Sequence, residues 1–156
     1  MIINNIKNLS EHLADRTALM GLDLGTKTIG VAISDDRRLV ASALDVVLRK
    51  KFSIDAAILA SLSIEYKVSG IILGLPLNMN GTEGPRCQST RQFAVNLDEK
   101  TKIPIAFWDE RLSTQAVEKH LISHDVSRRR RKKVVDKLAA QFILQGALDF
   151  LQNEQS

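Results

Sequence analysis

Cysteine is nearly missing from this chain: Cys87 stands alone, so no disulfide can form within it, and the usage fits a reducing compartment. No apolar run approaches the roughly 20 residues of a membrane span. The first residues lack a basic segment followed by a continuous apolar one, so no signal peptide is expected and a cytoplasmic location is. Internal repeats and an interdomain linker are also absent. What remains is ordinary for a globular protein, with 44% hydrophobic and 26% charged residues over 156 positions. The expected organisation is an extension over residues 1–17, one domain over 18–152, and a polar tail over 153–156.

The net charge of +4 is unevenly placed. Arg128, Arg129, Arg130, Arg131, Lys132 and Lys133 are consecutive; without them the 22 basic residues fall to 16, against 18 acidic. A basic patch on a nearly neutral body attracts polyanions, nucleic acid above all.

The stretch Ala18–Leu24 reads as a buried strand ending at a glycine, with Leu19, Gly21 and Asp23 on one face and Met20, Leu22 and Leu24 on the other. A carboxylate in such a run is costly to desolvate without a positive or proton-donating partner. Gly25, Thr26 and Lys27 make the turn, and Thr28–Ser34 returns as a second strand. A carboxylate beside a hydroxyl and an ammonium suits a divalent cation and a phosphate. Val40–Leu48 follows as a third strand, completing an antiparallel meander. A helix is expected over about Ile54–Tyr66, capped by Ser53, with Ile54, Ala57, Ile58 and Leu62 facing inward.

Ser69–Leu75 reads as a strand buried on both faces. The loop Pro76–Gly84 follows, and Pro85 suits the first position of a helix reaching about Lys100. The start of that helix, with Arg86 and Arg91 nearby, can receive a phosphate. Ile103–Trp108 is a fifth strand, with Asp109 and Glu110 directly after it. One of that pair is expected to face the site; the sequence leaves open which. A further helix, capped by Ser113 or Thr114, is expected to reach about Ile122. In the last helix, Val134 to about Leu151, Asp136 shares a stripe with Ala139, Ala140, Ile143 and Ala147. Residues 2, 3, 6, 9 and 13 of the extension are apolar at roughly helical spacing and could dock weakly, but a frayed terminus is the expectation.

Three acidic positions therefore stand out, two at strand ends and one at a helix start. Carboxylates brought together hold a proton unless a cation neutralises them, and Mg²⁺ or Mn²⁺ prefers oxygen ligands.

Four motifs then appear in a telling order: Gly21–Ala32, Gly74–Pro85, Trp108–Thr114 and Val135–Ala140. Together they closely resemble those of the bacterial pre-16S rRNA nuclease family, also described as Holliday-junction resolvases, over roughly residues 19–151. The extension before residue 19 departs from the shorter family pattern. The resemblance implies an RNase H-like α/β fold with a five-stranded mixed sheet flanked by helices: strands one to three antiparallel, strands four and five parallel to the first. It implies metal-dependent catalysis by Asp23, the Asp109–Glu110 pair and Asp136, and 5′-phosphate and 3′-hydroxyl products; the expected mechanism has two Mg²⁺ or Mn²⁺ ions held by Asp23, Glu110 and Asp136. Thr26, Lys27, Asn78, Arg86, Arg111 and residues 128–133 are the expected nucleic-acid contacts. The expected activity is endonucleolytic processing of the 5′ end of pre-16S rRNA by a monomer or weak homodimer. The competing expectations are resolution of branched DNA and a nucleic-acid-binding module without catalysis.

Overall fold

The computed structural model describes residues 1–111 and 128–155, with side chains placed through residue 111 and from 138 to 154. Within them, strands β1 (Ile2–Ile3), β2 (Ala18–Leu24), β3 (Thr28–Ser34), β4 (Ala41–Leu48), β5 (Val68–Leu75) and β6 (Ile105–Asp109) form one sheet in the order β1-β6-β5-β2-β3-β4. Helices α1 (Phe52–Glu65) and α2 (Pro85–Thr101) supply one covering layer, and α3 (Arg128–Gln155) lies on the other face. Among the described residues no helix is long and apolar enough to cross a membrane.

The meander and the parallel pairing of β5 with β2 and β6 are as the sequence predicts. The strand count is not: the sheet has six strands rather than five. Ile2 and Ile3 pair in parallel with Ile105 and Ala106, extending the edge beyond β6. The 3₁₀ turn Ile6–His12 then brings Leu9 into full burial beneath α3. Two β-branched residues cannot show an alternating period, so the apolar positions of this segment mimic a helical spacing.

Alternation along β2 divides the core. Met20, Leu22 and Leu24 pack with Leu59, Phe93 and Leu97 on the α1–α2 side. Leu19 packs with Ala140, Ile143 and Leu144 on the α3 side, and Asp23 shares that face. The helix runs against the direction of β2. Ala140 and Leu144 lie over Gly21, whereas Gln145 and Gln152 bond to Ala41 and Arg38 at the far end of the sheet. The first half of α3 therefore comes to the end of the sheet where β2, β5 and β6 finish.

In α1 the buried face is Asp55, Ala56, Leu59 and Ser63; of the predicted stripe only Leu62 packs partly against the core, while Ala57 is exposed and Ile54 and Ile58 are 44% and 37% exposed. Both faces of this helix carry apolar residues, so period alone does not choose between them. Asp55 decides it. Its carboxylate accepts the Lys50 backbone N–H at 3.0 and 3.3 Å, replacing the predicted Ser53 cap and turning that face toward the sheet. Cys87 is buried, with Sγ donating to the Pro76 carbonyl oxygen at 3.2 Å, a packed thiol.

Candidate active site at the carboxyl ends of the parallel strands

Asp23 is the penultimate residue of β2, and Glu110 follows the last residue of β6. Strand β5 lies between them, and the register Leu22↔Leu73 and Gly74↔Trp108 brings Gly74 between the two acids. The backbone turns helical at Glu110 and Arg111, so the strand does not persist through the acidic pair. This break decides which acid faces inward. A Cβ on Gly74 would lie 3.0 Å from Glu110 Oε2 and 2.6 Å from Ile143 Cδ1, so the bare backbone at residue 74 makes room for the Glu110 carboxylate.

Glu110 Oε2 is buried and has no hydrogen-bond donor among the described residues. Burial, and next the negative charge of Asp23, push the Glu110 pKa up to about 7, with Arg86 pulling the other way. Among the described residues, the positive charge of Arg86 offsets only part of the cost of ionising that carboxyl. The donors here are carboxylate oxygens, the set that hard divalent cations take. Among the described residues, no third acidic, histidine or cysteine side chain joins them in a cluster. The predicted third ligand, Asp136, has its backbone in α3, one turn before Ala140, at the same end of the sheet; its side chain lies outside the described residues.

Asp109, also expected to be catalytic, is engaged elsewhere. Its carboxylate accepts from Arg111 Nη2 at 2.6 Å and from Arg111 Nε and N at 3.0 Å, and the guanidinium lowers its pKa. Arg111 Nη1 donates onward to the Met79 carbonyl at 3.0 Å. The pair thus ties the end of β6 to the Pro76–Gly84 loop. Asn78 Nδ2 donates to Thr82 Oγ1, and Gly81 supplies the left-handed turn at φ 86°. That loop, with Arg86, Glu110 and Arg111, lines a cleft of about 340 Å³. Arg86 sits in the first turn of α2, its Nη2 3.4 Å from the Leu24 carbonyl. Thr26 and Lys27 are exposed at the β2–β3 turn. The predicted contacts Arg128–Lys133 begin α3, with side chains outside the described residues; the predicted caps Ser113 and Thr114 also lie outside them.

Gly74 and Gly21 escape the sequence reading as functional positions, although an isolated glycine in a strand pattern signals close approach. Gly74→Ala is expected to cost about 1 kcal/mol of stability, since Ile143 Cδ1 ends a flexible side chain. Displacing the Glu110 carboxylate is expected to lower kcat about tenfold or more. Thermal melts and steady-state kinetics on the same preparation check both.

Residues 17–150 match the family model described as RuvX: Holliday junction resolvase. A Ruegeria pomeroyi protein named "Putative pre-16S rRNA nuclease" is 54% identical over 153 residues, covering 98% of this chain and 99% of its own. A Rhodopseudomonas palustris protein of the same name is 61% identical over 134 residues, covering 86% and 82% respectively. Among solved structures, Thermus thermophilus RuvC in complex with Holliday junction substrate aligns with a TM-score of 0.53 at 12% identity. That alignment covers 86% of this chain and 96% of RuvC, a likeness of RNase H-like fold. With its strand-end acids in place and the match spanning almost the whole sheet and α3, the chain belongs to the RuvX Holliday junction resolvase family.

Proposed function

We propose that the protein is a divalent-cation-dependent endonuclease that processes the 5′ end of pre-16S rRNA. The observation that carries this reading is the Glu110 carboxylate. One of its oxygens is buried without a donor, beside the charge of Asp23, at the rim where three parallel strands end. Two carboxylates so placed bind either a proton or a cation. Asp23 and Glu110 fit Mg²⁺ or Mn²⁺ by donor type, and the position of Asp136 in the sequence motif makes it the third holder. When bound, a pair of such ions lowers the pKa of the attacking water and steadies the departing oxygen of a phosphodiester.

The rest belongs to the chain's own side chains. Arg86, which already tempers Glu110, stands where a phosphate oxygen would enter the cleft. Lys27 projects from the neighbouring turn. Arg111, held by Asp109, keeps the Pro76–Gly84 loop as the outer wall of the cleft, limiting water and orienting the strand. Trimming one strand at one end requires a single copy of the site.

The names of the curated relatives support RNA end processing. The family description supports a second reading, cleavage of branched DNA, which by paired cuts requires two copies. The test presents a pre-16S 5′ fragment and a four-way DNA junction side by side, in Mg²⁺ and in EDTA. Cleavage of the RNA in Mg²⁺ and silence in EDTA are expected. Faster cutting of the junction would move the assignment to the second reading. Inertness toward both in Mg²⁺ and Mn²⁺ would remove the nuclease assignment.

A further inference from the structure

We propose that Lys50 and Lys51, with Lys27, form a phosphate-binding track that holds the nucleic-acid strand on the side of the acid site toward β4. The inference rests on the nuclease reading and adds to it the route of the substrate.

The sheet order places the track. Strand β3 runs against β2, and β4 against β3, so the start of β3 and the end of β4 lie at the same rim as Asp23. Along that rim stand Glu110 after β6, the Pro76–Gly84 loop after β5, Asp23 on β2, Lys27 in the β2–β3 turn, and Arg49, Lys50 and Lys51 after β4. From β2 to β4 is two strand spacings, about 10 Å.

The two cationic segments are built as one surface. Arg49 N donates to the Lys27 carbonyl at 2.9 Å, and its Nη1 to the Gly25 carbonyl at 2.6 Å. The Arg49 guanidinium also lies 5.9 Å from the Phe93 ring centroid, so this side chain acts as a strut between the turns. The Lys50 backbone is fixed by the buried carboxylate of Asp55. The Lys27, Lys50 and Lys51 side chains remain exposed, and among the described residues no acid pairs with any of them. Three ammonium groups on a braced backbone, all at the rim of the acid pair, are complementary to a polyanionic backbone and indifferent to base identity.

The test is the double variant K50A/K51A in the full chain, beside K100A. Lys100 carries the same charge at the last turn of α2, at the opposite end of the sheet. Binding of a fluorescein-labelled single-stranded RNA in EDTA is followed by anisotropy across a salt series, and cleavage of the pre-16S fragment in Mg²⁺ by KM and kcat. The double variant should bind about three- to tenfold more weakly at low salt, with a log–log salt slope shallower by about 1.4. KM should rise with kcat unchanged, and K100A should match the parent protein. An unchanged slope and KM in K50A/K51A would overturn the track, as would an equal loss in K100A. If the parent protein neither binds nor cuts the RNA, the nuclease reading itself fails and the track with it; if it does both, only the track is at stake.

Discussion

Glu110→Gln and Asp23→Asn are each expected to lower Mg²⁺-dependent cleavage on the order of 10³-fold or more, because each removes a proposed anionic ligand of the cation on which the proposed chemistry depends. The stability of the metal-free protein separates the two. Glu110 carries a pKa pushed up from 4.5 to about 7 by burial and by Asp23. Between those values the folded state holds a proton that the unfolded chain has released. Stability is therefore full below pH 4.5 and is lost as pH rises through about 7. Glutamine reproduces the protonated form. In EDTA at pH 8, Glu110→Gln should be more stable than the parent by about 2–3 kcal/mol, with a melting temperature higher on the order of 5 °C. That advantage should shrink to nothing near pH 4.5. Asp23→Asn leaves burial in place and removes the charge, so Glu110 should titrate nearer its ordinary value. A Glu110→Gln variant that melts below the parent at pH 8, or that still cuts RNA at the parent's rate, would contradict the assignment of Glu110 as the uncompensated acid.

The expected loss of function with gain of stability follows from the geometry of β6. Had the strand continued one residue further, Asp109 and Glu110 would alternate faces and the sequence would not distinguish them. The turn into helix at Glu110, with Arg111 folded back on Asp109, gives one acid to the cleft and the other to a strut. That division depends on where a strand stops, which local sequence determines only to within a few residues. Asp23 is legible for the opposite reason: it lies inside a seven-residue apolar strand closed by Gly25, where side chains alternate faces and the face of each follows from its position. The inward face of α1 was not legible, because apolar residues occupy both sides and the choice falls to the buried cap of Asp55. Strand β1 is two residues long and shows no period at all. Lys50 and Lys51 carry no functional signal in the sequence, because Asp23 and Lys50 are separated along the chain and brought to one rim only through β3 and β4.

Gly21→Ala is expected to damage the site from a distance. A Cβ at residue 21 would lie 2.7 Å from Leu144 Cβ and 3.0 Å from the Ala140 carbonyl oxygen. Neither is the end of a flexible side chain, so α3 must retreat from β2. Overpacking of this kind costs about 1–3 kcal/mol, against which the reduced freedom of the unfolded chain returns about 0.4–1 kcal/mol. The melting temperature should therefore fall by several degrees, and the protein should remain folded at 25 °C. The effect on catalysis should be disproportionate. Ala140 is one helical turn beyond position 136, so the part of α3 that moves is the part that carries Asp136, the proposed third acid. A displacement of about 1 Å in such a constellation can cost on the order of 10²-fold in rate. Binding of RNA in EDTA, which calls on the cationic rim and not on the separation of the acids, should change little. Circular dichroism, RNA anisotropy and single-turnover cleavage on the same variant distinguish this from simple unfolding. Activity that falls only in proportion to the unfolded fraction would mean that the close approach of α3 to Gly21 serves packing alone, and that Asp136 is positioned by something other than the contact between this helix and β2.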